Sequence, residues 1–230
     1  MFIIPCKFNR KFPFIIDLVQ SIRKFHPTEK IVVVDSCSND KSYFMDLISY
    51  DVTIMENNPN WCIGAYWMVY KKFPNEDYYY CMHDSMKVKD NLDSFKEKKL
   101  TTMMYFDRNI SNFNSWGELI TKESKYAYKN IGNGCYGPMF FCKNEVLKNM
   151  MAMGADKFLP TNKQEIGYCE GCYGFFLEEQ EFKLQECALF GDVIFEHSIF
   201  GRSGVYPHNT SWQFPIEKFY GSHLDINRNL

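Results

Sequence analysis

The amino-acid sequence predicts an α/β fold, in which a mostly parallel β-sheet carries helices on both faces. Three observations lead to this prediction. The chain of 230 residues is 46% hydrophobic and 23% charged, a composition that can bury a substantial core. Strand-like and helix-like patterns alternate over residues 1–90, and strands that alternate with helices form parallel sheets. Polar residues follow each of these strands, as they do where a sheet edge binds a ligand.

The first half of the chain alternates four strands with three helices. Each strand is a short apolar run, and Ile31-Val32-Val33-Val34 is β-branched throughout, as in strands buried on both faces. Pro13 suits the first turn of a helix, and His26-Pro27 ends that helix. The predicted strands are 2–6, 31–34, 52–55 and 78–82, and the predicted helices are 12–25, 40–49 and 61–73.

The second half of the chain has a less regular pattern. It predicts strands at 101–106, 139–141 and 193–195, and helices at 143–153 and 163–182. An irregular tail rich in glycine and proline follows the last strand. Because no flexible linker interrupts the chain, we expect one domain over residues 1–230.

Composition argues against several classes of protein. The net charge of −2 does not suit a nucleic-acid partner, and no apolar run approaches the roughly 20 residues of a membrane span. The apolar start is too short for a signal peptide, and nine cysteines are an odd number, so we expect reduced thiols and a cytoplasmic protein. The single CxxC pair, Cys169 and Cys172, falls in a predicted helix without a partner pair and indicates packing rather than zinc.

Polar residues at the strand ends are the first candidates for a site. Asp84 follows the fourth strand, where one carboxylate can hold Mg²⁺ or Mn²⁺ if substrate phosphates supply the other oxygens. Asp35 follows the second strand and can accept hydrogen bonds from a ribose or a base, although either aspartate can instead cap a turn or helix. The polar residues at the four strand ends are Lys7 and Asn9, Asp35 and Ser36, Asn57 and Asn58, and His83, Asp84 and Ser85.

Two further candidates come from the second half of the chain. Glu170, at a helix start, is a candidate general base, and Glu165 is its rival. His197 can return to the site as a metal ligand, with His208 as the weaker alternative, but a lone histidine is more often structural. GxxxxGK[ST] is absent, and the one GxGxxG spacing, at residues 132–137, lies in a predicted loop before a strand rather than between a strand and a helix, so no P-loop or dinucleotide fingerprint is predicted.

The chain resembles the GT-A-fold, family 2-like glycosyltransferases, in particular the small nucleotide-sugar transferase domains of large DNA viruses and some bacteria. The similarity is carried by residues 30–36, Gly64-Ala65-Tyr66 and residues 78–86, and continues weakly through residues 137–140 and 162–174. It implies a nucleotide-binding half at 1–90 and an acceptor half with a tail at 91–230. It also implies a cytoplasmic enzyme, in the host cytoplasm if the chain is viral.

The resemblance also implies a reaction and a set of roles. A hexose would move from a UDP-sugar to a glycan or protein-linked acceptor with inversion, helped by Mn²⁺ or Mg²⁺. Glu170 or Glu165 would be the base, and Asp84 and His197 would hold the metal. The donor would be bound by Pro5, Lys7, Asp35, Ser36, Asn57, Gly64, Ala65, His83 and Asp84. Aromatic candidates for a sugar face are Trp61, Tyr66, Trp67, Trp116, Tyr136, Tyr173 and Trp212.

The chain departs from the family pattern at the metal motif. Asp-x-Asp is reduced to Asp84, because Met82 and Met86 occupy the neighbouring positions at spacing two. Two alternatives therefore stay open. One is a nucleotidyltransferase, although residues 6–11 lack the glycine-rich loop of such enzymes. The other is a glycan- or protein-binding module that keeps the fold without catalysis.

Overall fold

A computed structural model describes residues 1–10, 13–106, 134–135, 137–190 and 215–218. Within these residues it contains ten strands and six α-helices. The strands are β1 (Phe2–Cys6), β2 (Ile31–Asp35), β3 (Val52–Met55), β4 (Tyr78–Cys81), β5 (Met86–Val88), β6 (Leu100–Thr102), β7 (Tyr105–Phe106), β8 (Gly134–Cys135), β9 (Phe140–Lys143) and β10 (Ile216–Lys218). The helices are α1 (Phe14–Phe25), α2 (Tyr43–Ile48), α3 (Trp61–Lys72), α4 (Asn144–Ala152), α5 (Lys163–Glu178) and α6 (Leu184–Cys187). Short 3₁₀ turns cover Asp93–Glu97 and Ala155–Lys157.

The main sheet has six strands in the order β3-β2-β1-β4-β9-β6. The first four are parallel, and β9 runs antiparallel to both β4 and β6. The predicted α/β class with a mixed, mostly parallel sheet is therefore confirmed. Strands from both predicted halves of the chain pair within this one sheet, since β9 joins β4 directly.

Helices cover both faces of the sheet, and the alternation of side chains along the strands explains why. Ile3, Val32 and Val34 point into a core with α3, α4 and α5, whereas Ile4 and Val33 point into a second core with α1 and α2. Both faces of β1 and β2 are buried in consequence. This is the arrangement that continuous β-branched runs predict for central parallel strands.

The predicted elements of the first half are confirmed to within three residues at their ends. In the second half the single strand predicted at 101–106 is wrong, because a break after Thr102 separates β6 from β7. The helix predicted to cover much of 163–182 is confirmed as Lys163–Glu178, and Glu181 beyond its end takes a left-handed conformation with φ of 66°. The strand predicted at 193–195 lies outside the described residues.

Part of the predicted irregular tail is a strand, which corrects that prediction. Residues Ile216–Lys218 pair antiparallel with β5, so that Lys218 lies opposite Met86 directly after the end of β4. The tail sequence shows no alternating run long enough to predict this strand.

The nine cysteines are all free thiols, as predicted. Seven are buried, Cys187 is half-buried and Cys37 is exposed. Cys169 and Cys172 pack inside α5 against the sheet, in agreement with the packing role expected of the CxxC pair. Among the described residues, no helix combines the length and apolar character needed to cross a bilayer.

Candidate functional site

The connection from β3 to β4 reverses the direction in which the sheet grows, so that the reversal lies between β1 and β4. From β1 the chain adds β2 and β3 on one side, and then returns to add β4 on the other side of β1. In open α/β sheets such a reversal opens a crevice beyond the carboxyl ends of the two strands, and ligands bind there. Lys7 follows β1 and Asp84 follows β4, so the reversal brings these two charged residues to the same edge.

Asp35, predicted to contact the nucleotide, is fully buried at 0% exposure. Its carboxylate accepts a hydrogen bond of 2.8 Å from the Tyr43 hydroxyl and one of 3.1 Å from the Ser38 backbone N–H. Burial of a carboxylate is tolerated when such donors surround it. Asp35 therefore holds the loop after β2 in place through these hydrogen bonds, and its buried oxygens face protein groups.

Cys6 ends β1 opposite Asp35 at the end of β2. The charges of both Asp84 and Asp35 act on its thiol. Burial raises the pKa of Cys6 well above its ordinary value, and the charge of Asp84 raises it further. The thiol is consequently neutral. The charges of Asp35 and Asp84 thus both act on the buried Cys6 thiol.

The loop after β3 is organised by Asn58, which is buried, and not by the predicted Asn57, which is exposed. The Asn58 amide donates to the Ser36 hydroxyl at 3.1 Å and to the Trp61 carbonyl at 2.5 Å. Its side-chain oxygen accepts from the Asn60 backbone N–H at 3.1 Å. Asn58 therefore ties the loop after β2 to the start of α3.

Gly64, predicted to bind the donor, lies so close to Asn58 and Asn60 that a larger residue does not fit. A Cβ at this position would lie 2.3 Å from Asn58 Oδ1 and 2.6 Å from Asn60 Cβ. Only glycine allows so close an approach. Ala65 is buried in the core on the same helix. The structure thus gives Gly64 and Ala65 packing positions one layer behind the crevice.

The exposed rim of the crevice is built from strained backbone. Cys37, Asn57 and Trp61 have φ of 57°, 63° and 55°, and a left-handed conformation is unusual for a residue as bulky as tryptophan. Such strain concentrates at ligand sites because the surrounding contacts must hold it in place. The half-buried Trp61 ring lies beside Lys7, whose Nζ is 6.0 Å from the ring centroid. Trp61 is thus a described aromatic candidate that borders the crevice.

Three other aromatic candidates belong to the core. Tyr66, Trp67 and Tyr173 are almost fully buried and pack with Phe140 between α3, α5 and the sheet. They offer no face to a sugar, which corrects that part of the expectation. Trp116, Tyr136 and Trp212 lie outside the described residues.

Asp84 and Ser85 are nearly buried at the end of β4, with exposures of 9% and 6%. Lys218 from β10 reaches them and donates a hydrogen bond of 2.6 Å to the Ser85 hydroxyl. Burial lowers the pKa of Lys218 to about 8, and the negative charge of Asp84 opposes that lowering. The lysine is therefore mostly an ammonium at neutral pH, held beside the strand-end carboxylate.

His83 and Pro5 complete the predicted donor-binding residues. The His83 backbone N–H donates to Met86 Sδ at 3.3 Å, and its ring borders Gly137, where a Cβ would lie 3.5 Å from His83 Cε1. Gly137 has φ of 61° and brings the loop before β9 against the end of β4. Pro5 is buried within β1, opposite Val34.

The two candidate bases differ in their surroundings. Glu165 caps α5, because its carboxylate accepts from the Thr161 backbone N–H at 2.6 Å and from the Thr161 hydroxyl at 2.8 Å. Those hydrogen bonds lower its pKa, which does not suit a base. Glu170 lies five residues further along α5, and its side chain is outside the described part. His197 and His208 also lie outside the described residues.

The described residues do not offer a divalent metal a good set of ligands. Within the described ranges no three His, Cys, Asp or Glu side chains are arranged to hold a metal ion. The oxygens of Asp35 accept from Tyr43 and Ser38, while Lys218 donates to Ser85 beside Asp84 and lies within the field of that carboxylate. A nearby ammonium repels a divalent cation. Binding of Mn²⁺ or Mg²⁺ at Asp84 and His197 therefore stays a prediction that Lys218 opposes.

Three residues that shape the site were not among the sequence candidates for binding or catalysis: Cys6, Tyr43 and Lys218. Asn58 was among the polar residues at the strand ends, and Asn57-Asn58-Pro59-Asn60 is a turn-forming run before a helix. Cys6 lies in an apolar strand and Tyr43 in a helix, and neither position carries a local signal for a binding role. Lys218 had no local signal, because its partner Ser85 is 133 residues away.

Comparisons with known proteins give the following. No protein-family model matches the chain, and no curated protein matches it significantly. Among solved structures, S. aureus TarS 1–349 in complex with UDP aligns with a TM-score of 0.45 and 13% identity, over 73% of this chain and 53% of that one. TarS 1–349 without UDP aligns at 0.44 and 12%, over 76% and 54%. The galactosyltransferase LgtC with donor and acceptor sugar analogs aligns at 0.40 and 12%, over 75% and 70%.

The chain thus spans about half the length of the TarS fragment that it matches. All three TM-scores are below 0.5, so these likenesses carry no argument about the chemistry of this chain. What the structure itself defines is an α/β protein with a mixed, mostly parallel sheet whose strand order reverses between β1 and β4.

Proposed function

We propose that the chain is a GT-A-type glycosyltransferase that moves a sugar from a nucleotide-diphosphate donor, UDP-sugar foremost, to a glycan or protein-linked acceptor. The observation that carries the proposal is the edge beyond β1 and β4 at the reversal of the sheet, where Lys7 follows β1 beside the Trp61 ring and Asp84 follows β4. The sequence resemblance to such enzymes falls on the same strand ends.

The residues at this edge suit a donor that has a flat ring and a negatively charged phosphate. The half-buried ring of Trp61 offers a surface against which a base or sugar face can pack. The exposed ammonium of Lys7 lies next to that ring and attracts phosphate. The loops after β2 and β3 are held rigid by Asp35 and Asn58, which reduces the entropic cost of ordering the crevice around a ligand.

The reaction that we propose is an inverting displacement. An acceptor hydroxyl attacks the anomeric carbon while the bond from that carbon to the diphosphate oxygen breaks, and the nucleoside diphosphate leaves with the bonding electron pair. Glu170 takes the proton of the acceptor hydroxyl as general base. The engagement of Glu165 in the cap of α5 favours Glu170 for this role.

The proposal is tested by measuring nucleotide binding and sugar release together. We expect one of UDP, GDP, CDP and dTDP, UDP first, to raise the melting temperature, and the matching nucleotide sugar to release free nucleotide in the presence of a glycan acceptor. If a divalent metal holds the donor at Asp84, Asp84→Ala should abolish the metal-dependent part of donor binding, whereas Asp46→Asn, on the exposed surface of α2, should not change donor binding.

Other outcomes would contradict the proposal in distinct ways. Pyrophosphate release from a nucleoside triphosphate would identify a nucleotidyltransferase. Glycan binding without turnover, unchanged in Asp84→Asn and Glu170→Gln, would identify a non-catalytic module. Absence of binding for all four nucleotides would contradict a nucleotide-sugar donor altogether.

A further inference from the structure

The chain contains a buried lysine for which the predicted chemistry has no role. Lys218 is only 6% exposed, although lysine is among the residues least often buried without a partner. Its ammonium donates to the Ser85 hydroxyl at 2.6 Å and lies within the field of Asp84. It reaches them because β10 pairs with β5 directly after the end of β4.

The position of Lys218 matters because it coincides with the predicted metal position. A divalent cation would have to bind the Asp84 carboxylate, next to which Lys218 donates to Ser85, and the charge of Asp84 already acts on that ammonium. Two cations that share one carboxylate repel each other, and the repulsion is strong where water is largely excluded. The oxygens of Asp35 offer no substitute, since Tyr43 and Ser38 donate to them.

We propose that the Lys218 ammonium, and not a divalent metal, supplies the positive charge that neutralises the donor diphosphate beside Asp84. This inference rests on the proposed function. Because Lys218 is buried behind Ser85, it acts on the diphosphate through its charge and is a positioning residue rather than a catalytic one. Lys7, on the exposed side of the same edge, supplies a second positive charge.

The first test needs no variant. Titration of the intact chain with UDP is compared in EDTA and in excess Mn²⁺, and Mn²⁺ alone is titrated against the chain by electron paramagnetic resonance. We expect the same UDP affinity in both buffers, within about twofold, and no specific Mn²⁺ binding. UDP binding that requires Mn²⁺ would overturn the inference while leaving the proposed function in place.

The second test separates the charge of Lys218 from its bulk. Lys218→Met keeps most of the length of the side chain and removes the ammonium, so it should weaken UDP binding about tenfold or more while changing uridine binding less than about threefold. Lys218→Arg keeps the charge and should retain most of the difference between UDP and uridine. The matched control is Lys89→Met, which removes an exposed ammonium next to the same strand pair and should change neither affinity.

The results of these two tests separate a failure of the role of Lys218 from a failure of the proposed function. An equal loss of UDP and uridine binding in Lys218→Met, or no loss of either, would overturn the role of the charge. If Lys218→Met does not fold, the comparison rests on Lys218→Arg and the metal titration, and Mn²⁺-dependent UDP binding in either protein contradicts the inference. If none of UDP, GDP, CDP and dTDP binds the unaltered chain, the proposed function itself fails.

Discussion

At the scale of single residues, the buried carboxylate of Asp35 has the clearest role. It lies at the end of β2 and holds the following loop through Ser38 and helix α2 through Tyr43. The ring of Tyr43 also stacks on Phe8 at 4.4 Å, so the loop after β1 rests on the same support. A charged residue that the sequence suggests as a ligand contact is thus part of the scaffold that shapes the crevice.

Removal of the Tyr43 hydroxyl tests how much its hydrogen bond to the buried Asp35 carboxylate contributes to stability. Tyr43→Phe leaves the fully buried Asp35 with one fewer donor, so we expect the free energy of unfolding to fall by about 1–3 kcal/mol. Tyr50→Phe is the matched control, because the Tyr50 hydroxyl bonds Gln20 at an exposed position, and we expect a change within about 0.5 kcal/mol there. Urea unfolding followed by fluorescence measures both. Equal losses in the two variants would contradict a structural role for Asp35.

A second prediction for single residues concerns the close approach of Gly64 to Asn58. Gly64→Ala places a methyl group 2.3 Å from Asn58 Oδ1, so we expect a loss of about 1–3 kcal/mol together with weaker nucleotide binding. Asn58→Ala removes one of the two clashing groups, so the double variant should lose less than the sum of the single losses. Strict additivity in this double-mutant cycle, measured by urea unfolding, would show that the two residues do not contact each other.

At the scale of elements, the start of α5 separates the two candidate bases. Glu165 accepts from Thr161, and the Asn162 side chain accepts from the Glu165 backbone N–H at 3.0 Å, so this glutamate belongs to a helix cap. Its pKa is lowered from the ordinary value of 4.5 by hydrogen bonds from Thr161. The cap therefore contributes stability above that value, and the contribution is lost as the pH falls through the lower pKa of the folded state.

We expect neutralisation of Glu165 to change stability and neutralisation of Glu170 to change turnover. Glu165→Gln should lower the melting temperature slightly at neutral pH, with a smaller effect at low pH, and leave turnover unchanged. Glu170→Gln should keep donor binding and lower kcat by orders of magnitude, because the base is lost. Steady-state kinetics and thermal unfolding of both variants provide the check. A large fall in kcat for Glu165→Gln alone would transfer the role of base to that residue.

The elements also show what the sequence can predict and why. The strands Phe2–Cys6 and Val52–Met55 match their predictions because an apolar run between polar loops is a local signal. β10 was missed because three residues in a tail rich in glycine and proline have no such signal, and their strand character comes from pairing with β5. The strand-end residues of the site were predicted because their strands have local signals. Lys218 was not predicted, because it reaches the site only through the pairing of β10 with β5.

At the scale of the whole molecule, the order of the strands determines where a ligand can bind. β1 lies between β2 and β4, so the ends of the first and fourth strands meet at the reversal of the sheet. The residues exposed there come from several loops, and the buried ones behind them, Cys6, Asp35 and Asn58, hold those loops together. The central claim of this account is that a nucleotide sugar occupies this crevice.

The exposed thiol of Cys37 allows the most direct test of that claim. Cys37 follows β2 on the rim of the crevice, and its thiol contacts the Asn58 carbonyl at 3.7 Å. Cys187 is the half-buried thiol on α6, which packs on β6, four strands away from β2 and therefore roughly 19 Å distant. It serves as an internal reference within the same sample.

The measurement is the rate of alkylation of each thiol by iodoacetamide, followed by mass spectrometry, with and without saturating UDP-sugar. We predict that the donor slows alkylation of Cys37 several-fold and leaves the rate at Cys187 unchanged. A donor that binds, as shown by calorimetry, but leaves Cys37 as reactive as before, or protects Cys187 instead, would contradict a nucleotide site at the reversal between β1 and β4.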